Sequence, residues 1–177
     1  MRKSLVIISI VFVALLLTVA RFIYVNEREV LTQGDIENTE YKSIRWKAGA
    51  VLENGSLKEY GAGDTVSNTS IKDYIFSDLD HDNVLDALVV ITSETHSDMY
   101  ETADSDYLFF VQKKNKEVVT QAVEIPVDRN IVSIDDVSVT DSGLVQLDLT
   151  VSTISSRNWT KETHLFEYRQ NELISYK

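Results

Sequence analysis

Between two apolar stretches the chain reads Asp78-Leu79-Asp80-His81-Asp82-Asn83-Val84-Leu85-Asp86, with carboxylates at loop positions 1, 3, 5 and 9. That spacing lets a tight loop turn alternate side chains onto one oxygen-seeking cation, with the Val84 carbonyl at position 7 as a further ligand. Four such carboxylates repel one another until a cation arrives. Position 6 needs a residue that accepts positive φ, and Asn83 supplies this where glycine is usual. Position 12 is Val89 rather than a glutamate, so a helix-loop-helix site is excluded and a strand-flanked loop is expected. Oxygen-only ligands favour Ca²⁺ over Mg²⁺ or zinc, with a weak affinity of about 10⁻⁴ to 10⁻³ M. The expected metal ligands are Asp78, Asp80, Asp82, Val84 and Asp86. The competing reading is an Asx-rich turn in which the same aspartates accept backbone N–H groups and face water.

Other reactive side chains are sparse. The three histidines, His81, His96 and His164, fall at no spacing that makes a metal pair, and cysteine is absent, which removes thiol nucleophiles, disulfides and thiolate metal sites. No glycine-rich phosphate loop, GxSxG elbow or HExxH helix is present. Asp135-Asp136 would act as catalytic carboxylates only in a pocket that drives their pKa values apart, and nothing in the sequence builds one. Trp46, Trp159 and Tyr168 read either as a ligand platform or as core aromatics. No catalytic residue is named, and the domain is expected to be non-enzymatic, with a hydrolase as the remote alternative.

The elements around the loop read as strands. From Tyr41 onward, β-branched and aromatic residues recur in short runs separated by turn formers, as in an antiparallel meander or sandwich of mainly β class. Ser43 to Leu52 and Leu57 to Tyr60 flank Asn54-Gly55, a pair suited to a type I′ turn, and Gly61 to Ser70 reads as a loop. Further strands are expected at Tyr74 to Phe76, Ala87 to Thr92, Tyr107 to Gln112, Val118 to Ile125, Ile131 to Val139, Leu144 to Thr153, Thr163 to Tyr168 and Leu173 to Tyr176. Val145, Leu147, Leu149 and Val151 alternate with polar residues, so that strand is wetted on one face. Ala87-Leu88-Val89-Val90-Ile91 is continuously apolar, the mark of a strand covered on both faces. Ser93 to Asp106 is polar and acidic and reads as a long loop.

A different kind of segment precedes this domain. Met1-Arg2-Lys3 leads into an apolar run from Leu5 to Ala20 that resumes after Arg21 as Phe22 to Val25. Residues 1–25 therefore form one hydrophobic helix, read either as an uncleaved membrane anchor or as a signal peptide cut after Ala20. Arg2 and Lys3 place the N-terminus in the cytoplasm, so the rest of the chain lies outside, in the cell envelope or, after cleavage, secreted or periplasmic. Residues 26–40 read as a polar linker or frayed helical extension, and 41–177 as the extracytoplasmic domain. After Val25 the chain carries 14 basic and 28 acidic residues, a net charge of −14. Such a domain repels phosphate backbones, so nucleic acid is excluded as a partner, while the membrane, reached through the N-terminal helix, and an envelope protein are accommodated.

Ser77 to Val90 resembles the GDLNGDGxxDAxV segment of a widespread group of uncharacterised bacterial secreted and lipoprotein-like β domains. Val51 to Gly55, Asp106 to Val111 and Val127 to Ile131 are similar to that group's Asn-Gly element, aromatic strand and GDR-type turn. Ser77 and Asn83 stand where the group has glycines, and Ser93 to Ser105 replaces a glycine-rich stretch. The resemblance implies an extracytoplasmic β domain stabilised by calcium, and it brings no enzymatic activity. The expected role is a membrane-tethered binding or interaction domain, the alternative a structural envelope component without metal.

Overall fold

The computed structural model describes residues 30–42, 50–60, 66–97, 100–114, 116–127, 130–152, 159–170 and 172–176. The hydrophobic helix expected over residues 1–25, the expected strand from Ser43 and Trp46 lie outside them. Among the described residues no helix is long and apolar enough to cross a membrane. The compact unit that contains the loop runs from Leu31 to Lys177.

That unit is mainly β. After one short helix, α1 (Gln33–Glu37), come β1 (Glu40–Tyr41), β2 (Ala50–Val51), β3 (Ser56–Tyr60), β4 (Val66–Ser77), β5 (Asp86–Ser97), β6 (Tyr100–Lys114), β7 (Glu117–Val123), β8 (Asn130–Val139), β9 (Val145–Ser152), β10 (Trp159–Arg169) and β11 (Glu172–Ser175). Strands β3 to β7 form one five-stranded sheet in sequence order, and β8 to β11 form a four-stranded sheet, also in sequence order. Every pairing is antiparallel. The expected meander is therefore present, split in two at Ile125-Pro126-Val127, where proline lacks the N–H that a continuing ladder requires.

Two apolar clusters explain why the β5 sequence does not alternate. Leu88 and Val90 join Leu108 and Phe110 of β6 and the inward residues of the other sheet, Ile134, Val137, Val145, Leu147, Leu149, Val151 and Phe166. On the opposite face Ala87, Val89 and Ile91 join Phe109 and Val111, and this face is covered by Leu31, Ile36, Tyr41 and Leu52. Leu31 and Ile36 come from the stretch read as a linker, which from Leu31 onward packs against the sheet. Thr32 caps α1: its hydroxyl accepts the Asp35 N–H at 3.2 Å and its own N–H donates to the Asp35 carboxylate at 2.8 Å. Lys113 of β6 donates to the same carboxylate at 3.1 Å, and the buried Tyr41 hydroxyl donates to the Ile36 carbonyl at 2.9 Å.

Local expectations meet mixed outcomes. Asn54 and Gly55 both have positive φ, 52° and 76°, as a type I′ turn demands. The strands beside them do not form a hairpin, however: apart from a Glu53–Ser56 bridge, β2 pairs with β1, and β3 pairs with β4. The expected loop at Gly61 to Ser70 is a strand from Val66 onward, and of the acidic stretch, Ser93 to Ser97 continues β5 and Tyr100 to Asp106 opens β6 as a paired ladder. Ser67 to Ser70 of β4 and Ser93 to His96 of β5 are polar residues, stitched by hydroxyl pairs, Ser67 to Thr95 at 3.0 Å and Thr69 to Ser93 at 3.4 Å. Without an apolar stripe, they carry no alternation to read.

Candidate metal site

The aspartate loop connects β4 to β5, two adjacent long strands in the interior of the five-stranded sheet. Its backbone is pinned from inside by Leu79, which is buried in the core shared by the two sheets. At the far end Asp86 opens β5 on the same face as Leu88 and Val90, and it is only 3% exposed. His81 and Asn83 have φ of 59° and 65°, so the sharp turn at position 6 is made by the asparagine as expected.

Each carboxylate takes a backbone N–H of the loop. Asn83 donates to Asp78 Oδ2 at 3.0 Å, Asp82 to Asp80 Oδ1 at 3.2 Å, Val84 to Asp82 Oδ1 at 2.7 Å and Leu79 to Asp86 Oδ2 at 3.2 Å. These bonds coil the loop so that Asp78, Asp80 and Asp86 each place an oxygen within 4.8 Å of the other two. Asp82 stands outside that group, and half-buried Val84 contributes its N–H, to the Asp82 carboxylate.

The electrostatics of the group are unbalanced. Burial, and then the charge of Asp80 nearby, push the Asp86 carboxyl up to about 6, against the bonds from Leu79 and Asp80 N–H that pull it down. No Lys or Arg among the described residues forms an ion pair with Asp78, Asp80 or Asp86. Asp78 Oδ1 is buried and has no hydrogen-bond partner among the described residues. A carboxylate oxygen withdrawn from water without a donor is unfavourable by several kcal/mol on the order-of-magnitude scale for buried polar groups. A hard cation between the three carboxylates would satisfy it, and oxygen-only donors suit Ca²⁺.

Two residues far away in sequence complete the surroundings. Gln112, near the end of β6 and 8% exposed, donates its amide to Asp80 Oδ2 at 3.1 Å and to Asp86 Oδ1 at 3.5 Å. Tyr168 of β10 packs on Phe110 with ring centroids 4.5 Å apart, and burial together with the charges of Asp86 and Asp80 raises its hydroxyl pKa. Neither carries a spacing signal, because strand pairing brings Gln112 to the loop and packing of one sheet on the other brings Tyr168. An open cleft beside Asp80 and His81 is walled by Tyr168, Arg169, Gln170 and Ile174.

The remaining candidates do not assemble with the loop. Asp135 is held down to about 2 by the Ser133 and Thr150 hydroxyls and by Lys161. Trp159 is 71% exposed whereas Tyr168 is core, and at odd and even positions of one strand they face opposite ways, so they share no platform. His96 lies by Glu94, and His164 by Glu162 and Phe166. Compared with protein-family models, with curated proteins and with solved structures, the chain matches none.

Proposed function

We propose that this chain is a membrane-tethered, extracytoplasmic binding or interaction domain, non-enzymatic, whose β4–β5 loop takes a structural Ca²⁺. The buried, unpartnered Asp78 Oδ1 beside Asp80 and Asp86 is the observation that carries the cation reading. Asp78, Asp80 and Asp86 would hold the ion, with Asp82 and the Val84 carbonyl as the further ligands expected from their loop positions. The ion would supply charge compensation and loop rigidity rather than reaction chemistry. Tethering rests on the apolar run from Leu5 to Val25, and the extracytoplasmic side on Arg2 and Lys3. The resemblance of Ser77 to Val90 to bacterial secreted β domains points the same way.

A second reading, a structural envelope component without metal, is favoured by the backbone N–H groups that each loop aspartate already accepts. Calorimetry on the full chain in detergent micelles separates the two. Calcium heat and a melting temperature that falls on chelation are expected; no heat and an unmoved melting temperature would leave only the second reading. Mass spectrometry of the mature N-terminus from membranes is expected to find Met1 to Ala20 retained.

A further inference from the structure

Three carboxylates grouped within 4.8 Å, one of them almost fully buried, repel one another, and an unassisted loop would relax by swinging Asp80 outward, since its own side chain is exposed. The group nevertheless stays together. What spans it is an amide from another strand. In the β5–β6 ladder Ala87 pairs with Val111, so Gln112 falls one step further along, level with Asp86 at the mouth of the loop. Gln112 shares the core-facing side of β6 with Leu108 and Phe110, which fixes its stem, and its amide nitrogen reaches both Asp80 and Asp86.

Resting on the cation reading above, we propose that Gln112 is a positioning residue of this site: its amide bridges Asp80 and Asp86 and holds them in the grouped arrangement that calcium takes up. An uncharged donor suits this role better than lysine or arginine would. It supplies two N–H groups to carboxylate oxygens whose remaining lone pairs stay available, and it leaves the negative charge of the loop uncancelled. Outer partners that orient metal ligands in this way typically govern affinity by about 10- to 100-fold.

The test compares the full chain with Gln112→Met and Gln112→Lys, in detergent micelles, by melting temperature against calcium chloride at constant ionic strength. Methionine keeps the shape of the buried stem and removes the donors. Its calcium midpoint is expected to rise by about 10- to 100-fold. Lysine places an internal ammonium between Asp80 and Asp86, so that variant is expected to melt in chelator at or above the wild-type temperature and to gain nothing from calcium. A purely structural role for Gln112 predicts something else: Gln112→Met would melt lower with and without calcium by the same amount, at an unchanged midpoint. That result, or a Gln112→Lys protein that responds to calcium as the wild type does, overturns the inference while leaving the cation site standing. A wild-type chain that calcium does not stabilise overturns the site and this role together.

Discussion

Asp86 has its carboxyl raised to about 6 by burial and by Asp80, so the folded state holds a proton there that the unfolded chain, near 3.8, has already released. The folded protein therefore binds more protons than the unfolded one between about pH 4 and pH 6. This contribution to stability is complete below the unfolded value and is lost as pH rises through the folded one. At 1.36 kcal/mol for each pH unit between the two values, the loss is about 3 kcal/mol. In chelator, melting curves are expected to fall across that window, and Asp86→Asn is expected to flatten the fall and to raise the melting temperature at pH 7. On the proposed calcium reading the slope is expected to reverse in calcium, because protons would compete with the ion for the same oxygens, and Asp86→Asn should lose the calcium gain. A wild-type slope identical with and without calcium would contradict the assignment. Asp135 titrates in the other sense: Ser133, Thr150 and Lys161 hold it at about 2, so its contribution is present above the ordinary aspartate range and lost only toward that value. At this scale the grouping of Asp78, Asp80 and Asp86 was legible in the sequence because the three lie in one short loop, and the positive φ of Asn83 followed from position alone. The approach of Gln112 and Tyr168 to the loop was not, since a residue brought in by strand register or by packing between sheets leaves no spacing to recognise.

At the scale of elements, legibility followed apolar burial. Strands β5, β6 and β9 announced themselves through buried residues, and the split between inward and outward positions of β9 matches its alternating burial. The outer halves of β4, β5 and β6 lack that pattern and read as loops, yet backbone pairing continues through them because the neighbouring strand is already in place to accept each residue. The capped helix α1 was hidden for a different reason: five residues are too few to show a helical period, and its one buried residue, Ile36, stands alone in a polar stretch. Its packing is nonetheless substantial. Ile36 is fully buried against the face of the sheet that carries Val89 and Phe109, and the Asn54-Gly55 turn docks beneath it, with Gly55 N–H donating to the Glu37 carbonyl at 2.8 Å. A side chain at Gly55 would be strained at that positive φ. Ile36→Ala should therefore lose about 2–5 kcal/mol in urea unfolding, as for other buried aliphatic truncations. Thr32→Ala should lose about 1 kcal/mol through the cap. A change at Ile36 no larger than that at Thr32 would mean that the segment covers the sheet without bearing on it.

For the whole molecule the question is how two separate meanders stay closed on one core. Apolar contact between Leu88, Val90, Phe110 and the β9 residues supplies the attraction, but it has no direction. Direction comes from two carboxylates of the five-stranded sheet that accept backbone N–H groups of β8, the edge strand of the other. Asp106 Oδ2 accepts from Ile134 N–H at 2.8 Å and from Lys72 at 2.7 Å, and Asp73 Oδ2 accepts from Val137 N–H at 3.4 Å. The register of β8 against β9 shifts twice, between Ile131 and Ser133 and between Ile134 and Asp136, and β4 shifts between Ile71 and Asp73. Such bulges bend a strand and turn its backbone groups out of the ladder. Here they leave the Ile134 and Val137 N–H groups to be met by side chains, which also keeps the edge from pairing with another chain. The Asp106 carboxylate is 5% exposed, so its removal strands a buried N–H and the Lys72 ammonium together. Asp106→Ala should lose about 3 kcal/mol. Asp106→Asn keeps an acceptor for Ile134 while abandoning the charge, and should lose about 1.5 kcal/mol. Urea unfolding of the two variants gives the comparison, and the alanine variant should also sediment as larger species at high protein concentration, because its β8 edge is open. Equal losses for both variants would assign the whole effect to the Lys72 pair, and the two meanders would then be held by apolar contact without a directional clasp.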